Sequence, residues 1–208
     1  MLTIWGRDNS VNVMKVLWLV EELKAPYSRI DAGGAFGRTR DADYVAMNPN
    51  PSVPTLVMPN GYSLWESNSI LRFLARTQPG GEKFYPRDAE GAGNVDRWMD
   101  WTLASLNEPM RVIFWTFVRT PEAERDLAAA GRARDAAERL WRIVDAQLAG
   151  RNFLAGELSI ADMAMGGFLH RWFSLPVARP ELPNLRAWYE RLLARPAYAA
   201  KVAVLPLS

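Results

Sequence analysis

Pro49, Pro51, Pro54 and Pro59 crowd into one short stretch, and they limit what the chain can form there more than any other feature. A proline has a fixed φ and no amide hydrogen, so none of the four can sit inside a central strand. Only Thr55-Leu-Val-Met58, between Pro54 and Pro59, is clear to pair in a sheet. Pro59-Asn60-Gly61 is a strong turn signal, and Tyr62-Ser-Leu-Trp65 follows as a matching run. The stretch therefore predicts a rigid proline turn and an antiparallel hairpin. A helix follows from Ser67 to about Thr77.

Upstream, Leu2-Thr-Ile-Trp5 alternates as a short strand should. Asp8-Asn-Ser10 offers helix-capping side chains, and Val13, Val16, Leu17, Val20 and Leu23 recur at helical spacing. Ala25-Pro26 closes that helix, and Tyr27 to Asp31 can form a second strand. Strand, helix and strand within about 30 residues imply a right-handed parallel crossover. Gly33 to Tyr44 reads as a loop with a marginal helix, with Phe36 the only large apolar anchor before Tyr44. The order βαβ then ββα is a thioredoxin-like α/β layout for residues 1–78. Residues 79–88, through Pro79-Gly-Gly and Pro86, read as a linker.

Residues 89–208 read as an all-helical unit. A first long helix is expected from Arg87 to about Val118, carrying Trp98, Trp101 and Leu106. Thr120-Pro121 fits an N-cap and first-turn pair for a second helix running to Gly150, with Gly131 as the place where it could break. Ser159-Ile-Ala-Asp162 opens a third. Leu185, Trp188, Tyr189, Leu192 and Leu193 mark a fourth, ended by Pro196.

Composition narrows the chemistry. At 208 residues and 49% hydrophobic content the chain can bury a substantial core, and its net charge of +2 comes from scattered residues. That balance does not point to nucleic acid, and no apolar run approaches the ~20 residues of a membrane span. There is no cysteine, hence no disulfide, no thiolate metal ligand and no thiol nucleophile of the chain's own. His170 is the single histidine, so no metal site is expected, and on its apolar helix face it reads as structural. The expected compartment is the cytoplasm.

Three places could carry chemistry. Val53-Pro54 is either an ordinary trans loop proline or a cis turn. The cis form would leave the Val53 N–H and C=O free to pair with an extended peptide. Ser67 is either the N-cap of its helix or a donor, with the helix amides, to a ligand carboxylate at the positive helix end. In the second case Glu66 would pair with a neighbouring ammonium, and the unliganded helix start should be strained. Ser10 either caps the first helix or, with Asn12, donates to a bound thiol and lowers its pKa. Since the chain lacks a thiol, that sulfur must arrive with the ligand.

Together these residues resemble the cytosolic glutathione transferases over essentially the whole chain. Trp5 to Leu23 is similar to the family's first strand and active-site helix, Asn48 to Leu56 and Leu64 to Ile70 to its glutathione-binding segments, and Ser159 to Asp162 to a capping box of its second domain. Phe36-Gly-Arg, Arg119-Thr-Pro-Glu and Leu205 to Ser208 resemble a bacterial subgroup with serine or threonine near Ser10 and asparagine at Asn12. The resemblance implies the two-part fold, usually a homodimer, and glutathione as co-substrate with no permanent cofactor. It assigns Ser10 and Asn12 to the glutathione sulfur, the Val53 backbone to the cysteinyl part, Pro54 to the cis proline, Glu66 and Ser67 to the γ-glutamyl head, and Asn50 to the glycine carboxylate. Relatives usually have glycine where this chain has Pro51.

The expected reaction is attack of the bound thiolate on a small electrophile, with halide displacement from a haloacid or haloalkane as one form. Arg111, Phe114 and Trp115 are the candidate electrophile pocket, Arg111 steering an anionic substrate. The same residues could instead be helix packing and a solvated arginine. Trp98 and Trp101 fit the core or a dimer interface. Two other readings stay open: a disulfide reductase using glutathione as its only thiol, and a non-catalytic binding protein of the same fold.

Overall fold

The computed structural model describes residues 1–203 and 207; Leu205, Pro206 and Ser208 of the closing motif lie outside the described residues. Strands β1 (Leu2–Trp5), β2 (Tyr27–Ile30), β3 (Thr55–Val57) and β4 (Ser63–Trp65) form one mixed sheet in the order β2-β1-β3-β4. β1 runs parallel to β2, with Ile4 opposite Arg29, and antiparallel to β3, with Ile4 opposite Leu56; β4 closes the hairpin. Helix α1 (Val11–Glu22) is the crossover between β1 and β2. Helices α2 (Ala42–Met47) and α3 (Ser67–Thr77) follow, and the thioredoxin-like α/β layout is as read from the chain.

The stretch before α2 differs in detail from expectation. Gly34–Phe36 is a single 3-10 turn and Phe36 is exposed, whereas Tyr44 is fully buried and anchors the segment. Its ring meets Trp5 edge-on, which ties α2 to the sheet.

The rest is helical. Asp88 accepts a hydrogen bond from the Gly91 amide and starts α4 (Ala89–Trp101). A π turn, Thr102–Leu106, leads directly into α5 (Asn107–Phe114), and a second π turn, Trp115–Arg119, ends the rod. Thr120-Pro121 does not open the next long helix. It precedes only a 3-10 turn, Glu122–Glu124, and α6 (Leu127–Gln147) begins one turn later, where Asp126 caps the Ala129 amide. A carboxylate that reaches an orphan amide is the stronger start signal. α6 passes through Gly131 unbroken. Helices α7 (Ile160–Ser174) and α8 (Pro183–Leu193) complete the set, and Pro196 opens a further short turn, Pro196–Tyr198.

The core is continuous across both halves, and α1 lies at its centre, with every residue from Val13 to Val20 buried. A helix buried over such a run must be covered on all sides, here by α3, α7 and the turns of residues 196–203, with Leu2, Ile4 and Leu56 of the sheet in the same cluster. Gly166 on α7 makes this possible: a methyl group there would meet Trp18 at 2.7 Å and Tyr198 at 3.0 Å. Tyr198 donates to the Gly166 carbonyl at 2.9 Å, and Arg195 grips Glu22 with two bonds of 2.8 Å. α7 itself begins with a complete capping box at Ser159 and Asp162. His170 bonds the Tyr189 hydroxyl at 2.8 Å, a packing role.

Candidate functional site

The proline turn is fixed from behind by a buried network. Tyr44 donates to the Ser52 carbonyl at 2.6 Å, Asn48 donates to the same carbonyl and to Thr55 Oγ1, and Thr55 donates to the Tyr44 oxygen at 2.8 Å. Val53 is seated on two glycines: its side chain lies 3.3 Å from where a Gly6 methyl would be and 3.2 Å from that of Gly33. The Val53–Pro54 peptide is cis. Among the described residues nothing bonds the Val53 N–H or C=O, so both are open to an extended ligand. Asn50 and Pro51 are exposed at the tip; the Asn50 amide is held by Asn48 Oδ1 at 2.9 Å.

The starts of α1 and α3 meet beside this turn. Ser10 occupies the N-cap of α1 and is buried, yet its hydroxyl makes no capping hydrogen bond. A hydroxyl at a positive helix end with no internal partner can serve a bound anion. Ser67 is the first helical residue of α3 rather than its N-cap, 4% exposed, with its hydroxyl 3.4 Å from Asn12 Oδ1. The cap position belongs to Glu66, which is held at φ 67, ψ 108 with its side chain exposed. A non-glycine residue in that region costs on the order of 1–3 kcal/mol, and strain of this kind concentrates where a ligand is gripped. The capping conflict expected at Ser67 does not arise, since Ser67 is not the N-cap; the unusual backbone is that of Glu66.

Lys15 was not among the expected site residues. It is 1% exposed within α1 and donates to Asn68 Oδ1 at 2.9 Å, while Asn68 donates to the Met99 carbonyl at 3.0 Å. The chain of bonds sets the second residue of α3 against both α1 and α4. Burial pulls the Lys15 ammonium down to about 7; Glu66 opposes the shift and Arg72 adds to it.

The residues expected for the electrophile pocket divide. Phe114 is buried, with the Arg171 guanidinium 3.7 Å above its ring. Arg111 makes a two-pronged pair with Glu108, at 2.8 and 2.7 Å, on an exposed face. Trp115, one turn further along, is 55% exposed. Trp98 is buried and meets Trp101 edge-on.

Comparison with known proteins follows the same lines. Residues 1–76 match the family model described as "Glutathione S-transferase, N-terminal domain", and residues 122–191 match "Glutathione S-transferase, C-terminal domain". The chain is 40% identical to the glutathione S-transferase GstB of Escherichia coli K12, over the full length of both. A crystal structure of the theta class glutathione S-transferase from the citrus canker pathogen Xanthomonas axonopodis pv. citri, with glutathione bound, is 44% identical. It superposes with a TM-score of 0.94, covering 100% of this chain and 99% of that one. The fission yeast Schizosaccharomyces pombe glutathione S-transferase 1 is 27% identical over 95% of this chain and 93% of its own.

Proposed function

The chain belongs to the glutathione S-transferase family and is a glutathione S-transferase; on that premise we propose how its residues divide the work. Val53 pairs its N–H and C=O with the cysteinyl part of glutathione, and Pro54 shapes the turn that presents them. Glu66 binds the γ-glutamyl ammonium. Ser67 and the first amides of α3 bind the neighbouring carboxylate, and Asn50 reaches toward the glycine end. Ser10 and Asn12 donate to the sulfur, and the positive end of α1 favours thiolate over thiol. Each unit by which the thiol pKa falls is worth roughly 1.4 kcal/mol. The observation that carries the reading is Ser10: a buried hydroxyl at a helix start that caps nothing.

In the chemical step the sulfur lone pair forms a C–S bond to the electrophilic carbon, and the leaving group departs with its bonding pair. Phe114 floors the electrophile pocket, with Arg111 and Trp115 at its rim. Glutathione is the co-substrate, with no permanently bound cofactor. We further assign residues 1–78 to the glutathione-binding domain, 79–88 to the linker and 89–208 to the helical domain, and infer a cytoplasmic homodimer. No helix among the described residues is long and apolar enough to cross a membrane. Calorimetric titration with reduced glutathione tests the binding site: heat of binding is expected, and its absence at millimolar ligand would remove the assignment.

A further inference from the structure

Three arginines from distant parts of the chain converge beside the start of α1. Arg7 lies in the turn after β1, where its carbonyl accepts the Ser10 amide at 3.3 Å, and its Nε is packed so closely on Gly34 that a methyl there would meet it at 2.8 Å. Arg171 projects from α7 four residues after Gly167, and a methyl at Gly167 would meet Val11 at 2.7 Å. Four residues are about one helical turn, so Arg171 stands on the same face, one turn from the residue next to Ser10. Arg119 ends the π turn after α5, and its guanidinium lies 5.8 Å from the same Phe114 ring that Arg171 covers at 3.7 Å.

Among the described residues no carboxylate forms an ion pair with Arg7, Arg119 or Arg171. Asp8 favours the Arg7 cation from a distance but is itself paired with Arg29, and Arg7 Nη1 donates to a neutral side chain, Asn9 Oδ1, at 2.7 Å. The Nε atoms of Arg7 and Arg171 are buried without a hydrogen-bond partner. Arg171 is only 8% exposed, and burial together with Arg7 and Arg119 holds its guanidinium down at about 9. A buried cation facing two like charges costs stability unless something negative joins it. Arg111 is already matched by Glu108, so it does not share this need.

We propose that Arg7, Arg119 and Arg171 receive a carboxylate on the second substrate, which makes the preferred electrophiles small anions carrying a leaving group next to the carboxylate. The inference rests on the glutathione-binding reading and deepens it. The carboxylate sits in the guanidinium cluster over Phe114, and its α-carbon then faces the sulfur held at Ser10. The thiol proton leaves to solvent first; the thiolate pair forms the C–S bond, and halide departs with the C–X pair. Binding the acid end by two-pronged hydrogen bonds fixes the carbon for in-line attack.

Iodoacetate and iodoacetamide test this, because they share size and leaving group and differ in charge. The chain has no cysteine for either to modify. Initial rates with glutathione, corrected for the uncatalysed reaction, give kcat/KM for each compound in the wild type, Arg171→Gln and the exposed variant Arg119→Gln, with thermal melts to verify folding. The wild type should prefer iodoacetate beyond the uncatalysed ratio, and each variant should reduce that preference by roughly 10- to 100-fold, with KM for glutathione unchanged. Equal loss on both compounds would mean that the arginines act on the thiolate, and a rise confined to the glutathione KM would mean that they hold a carboxylate of the tripeptide. Either result overturns the proposal, as does a preference that survives both substitutions. Absence of glutathione-dependent turnover with both compounds would also overturn it, while heat on titration with reduced glutathione would leave the glutathione reading standing; loss of that heat as well would remove both.

Discussion

At the scale of single residues, the site depends on polar groups that the fold leaves unbonded. Ser10 caps nothing, and Ser67 makes only one long bond, donated to Asn12 Oδ1 at 3.4 Å. Ser67→Ala should weaken glutathione binding by roughly 1.5–3 kcal/mol, the worth of a hydrogen bond to a charged group; calorimetry that finds the same affinity would take Ser67 out of the site. Ser10→Ala and Asn12→Ala should reduce turnover more than affinity, which steady-state kinetics can separate. Lys15 gives a pH signature. Its ammonium loses its proton at about 7 when folded and at ~10.4 when unfolded. Between those values the unfolded chain holds the extra proton, so this residue's contribution makes stability rise with pH across the window. Below about 7 the group is charged in both states and its burial penalty is felt in full. Urea melts of the wild type and Lys15→Met at several pH values should show the stability gap narrowing from pH 7 toward pH 10. Lys15 could not be picked out in the sequence, because a charge on an apolar helix usually marks the solvent side. Only the cover of α1 on every side turns it inward. The arginine cluster was hidden for another reason: Arg7, Arg119 and Arg171 share no local spacing and meet only through packing.

At the scale of elements, starts and stops were legible where a side chain reaches the backbone within a few residues. The hairpin at Pro59-Asn60-Gly61 and the capping box at Ser159 and Asp162 are of this kind. The α6 start was misplaced at Thr120-Pro121, because proline is tolerated in a first turn without specifying one, while Asp126 makes an actual cap. The two π turns that join α4, α5 and their end have no sequence signal that we can identify. Asp162 provides the element-scale prediction. Its carboxylate accepts from the Leu154 amide at 3.0 Å, the Ser159 amide at 2.9 Å and the Ser159 hydroxyl at 3.0 Å, all buried. Asp162→Ala leaves these donors unpaired and should cost about 2–5 kcal/mol. A fall in melting temperature well beyond that of an exposed control such as Asp135→Ala would bear this out.

At the scale of the whole molecule, the sequence pattern conveyed the order of elements but not which surfaces remain for a second copy. Light scattering on the purified protein should give about twice the chain mass of 23.4 kDa if the inferred homodimer forms; a value near one chain mass would reject it. The placement of α1 has a consequence for how the molecule can be divided. Its inner flank is completed by Gly166, Tyr198 and Arg195, all contributed by the far end of the polypeptide. A severed leading piece would present Trp18 and its oily neighbours to water and should clump rather than survive as an autonomous module. The segment that must position a reactive sulfur is therefore assembled only after synthesis has passed Tyr198.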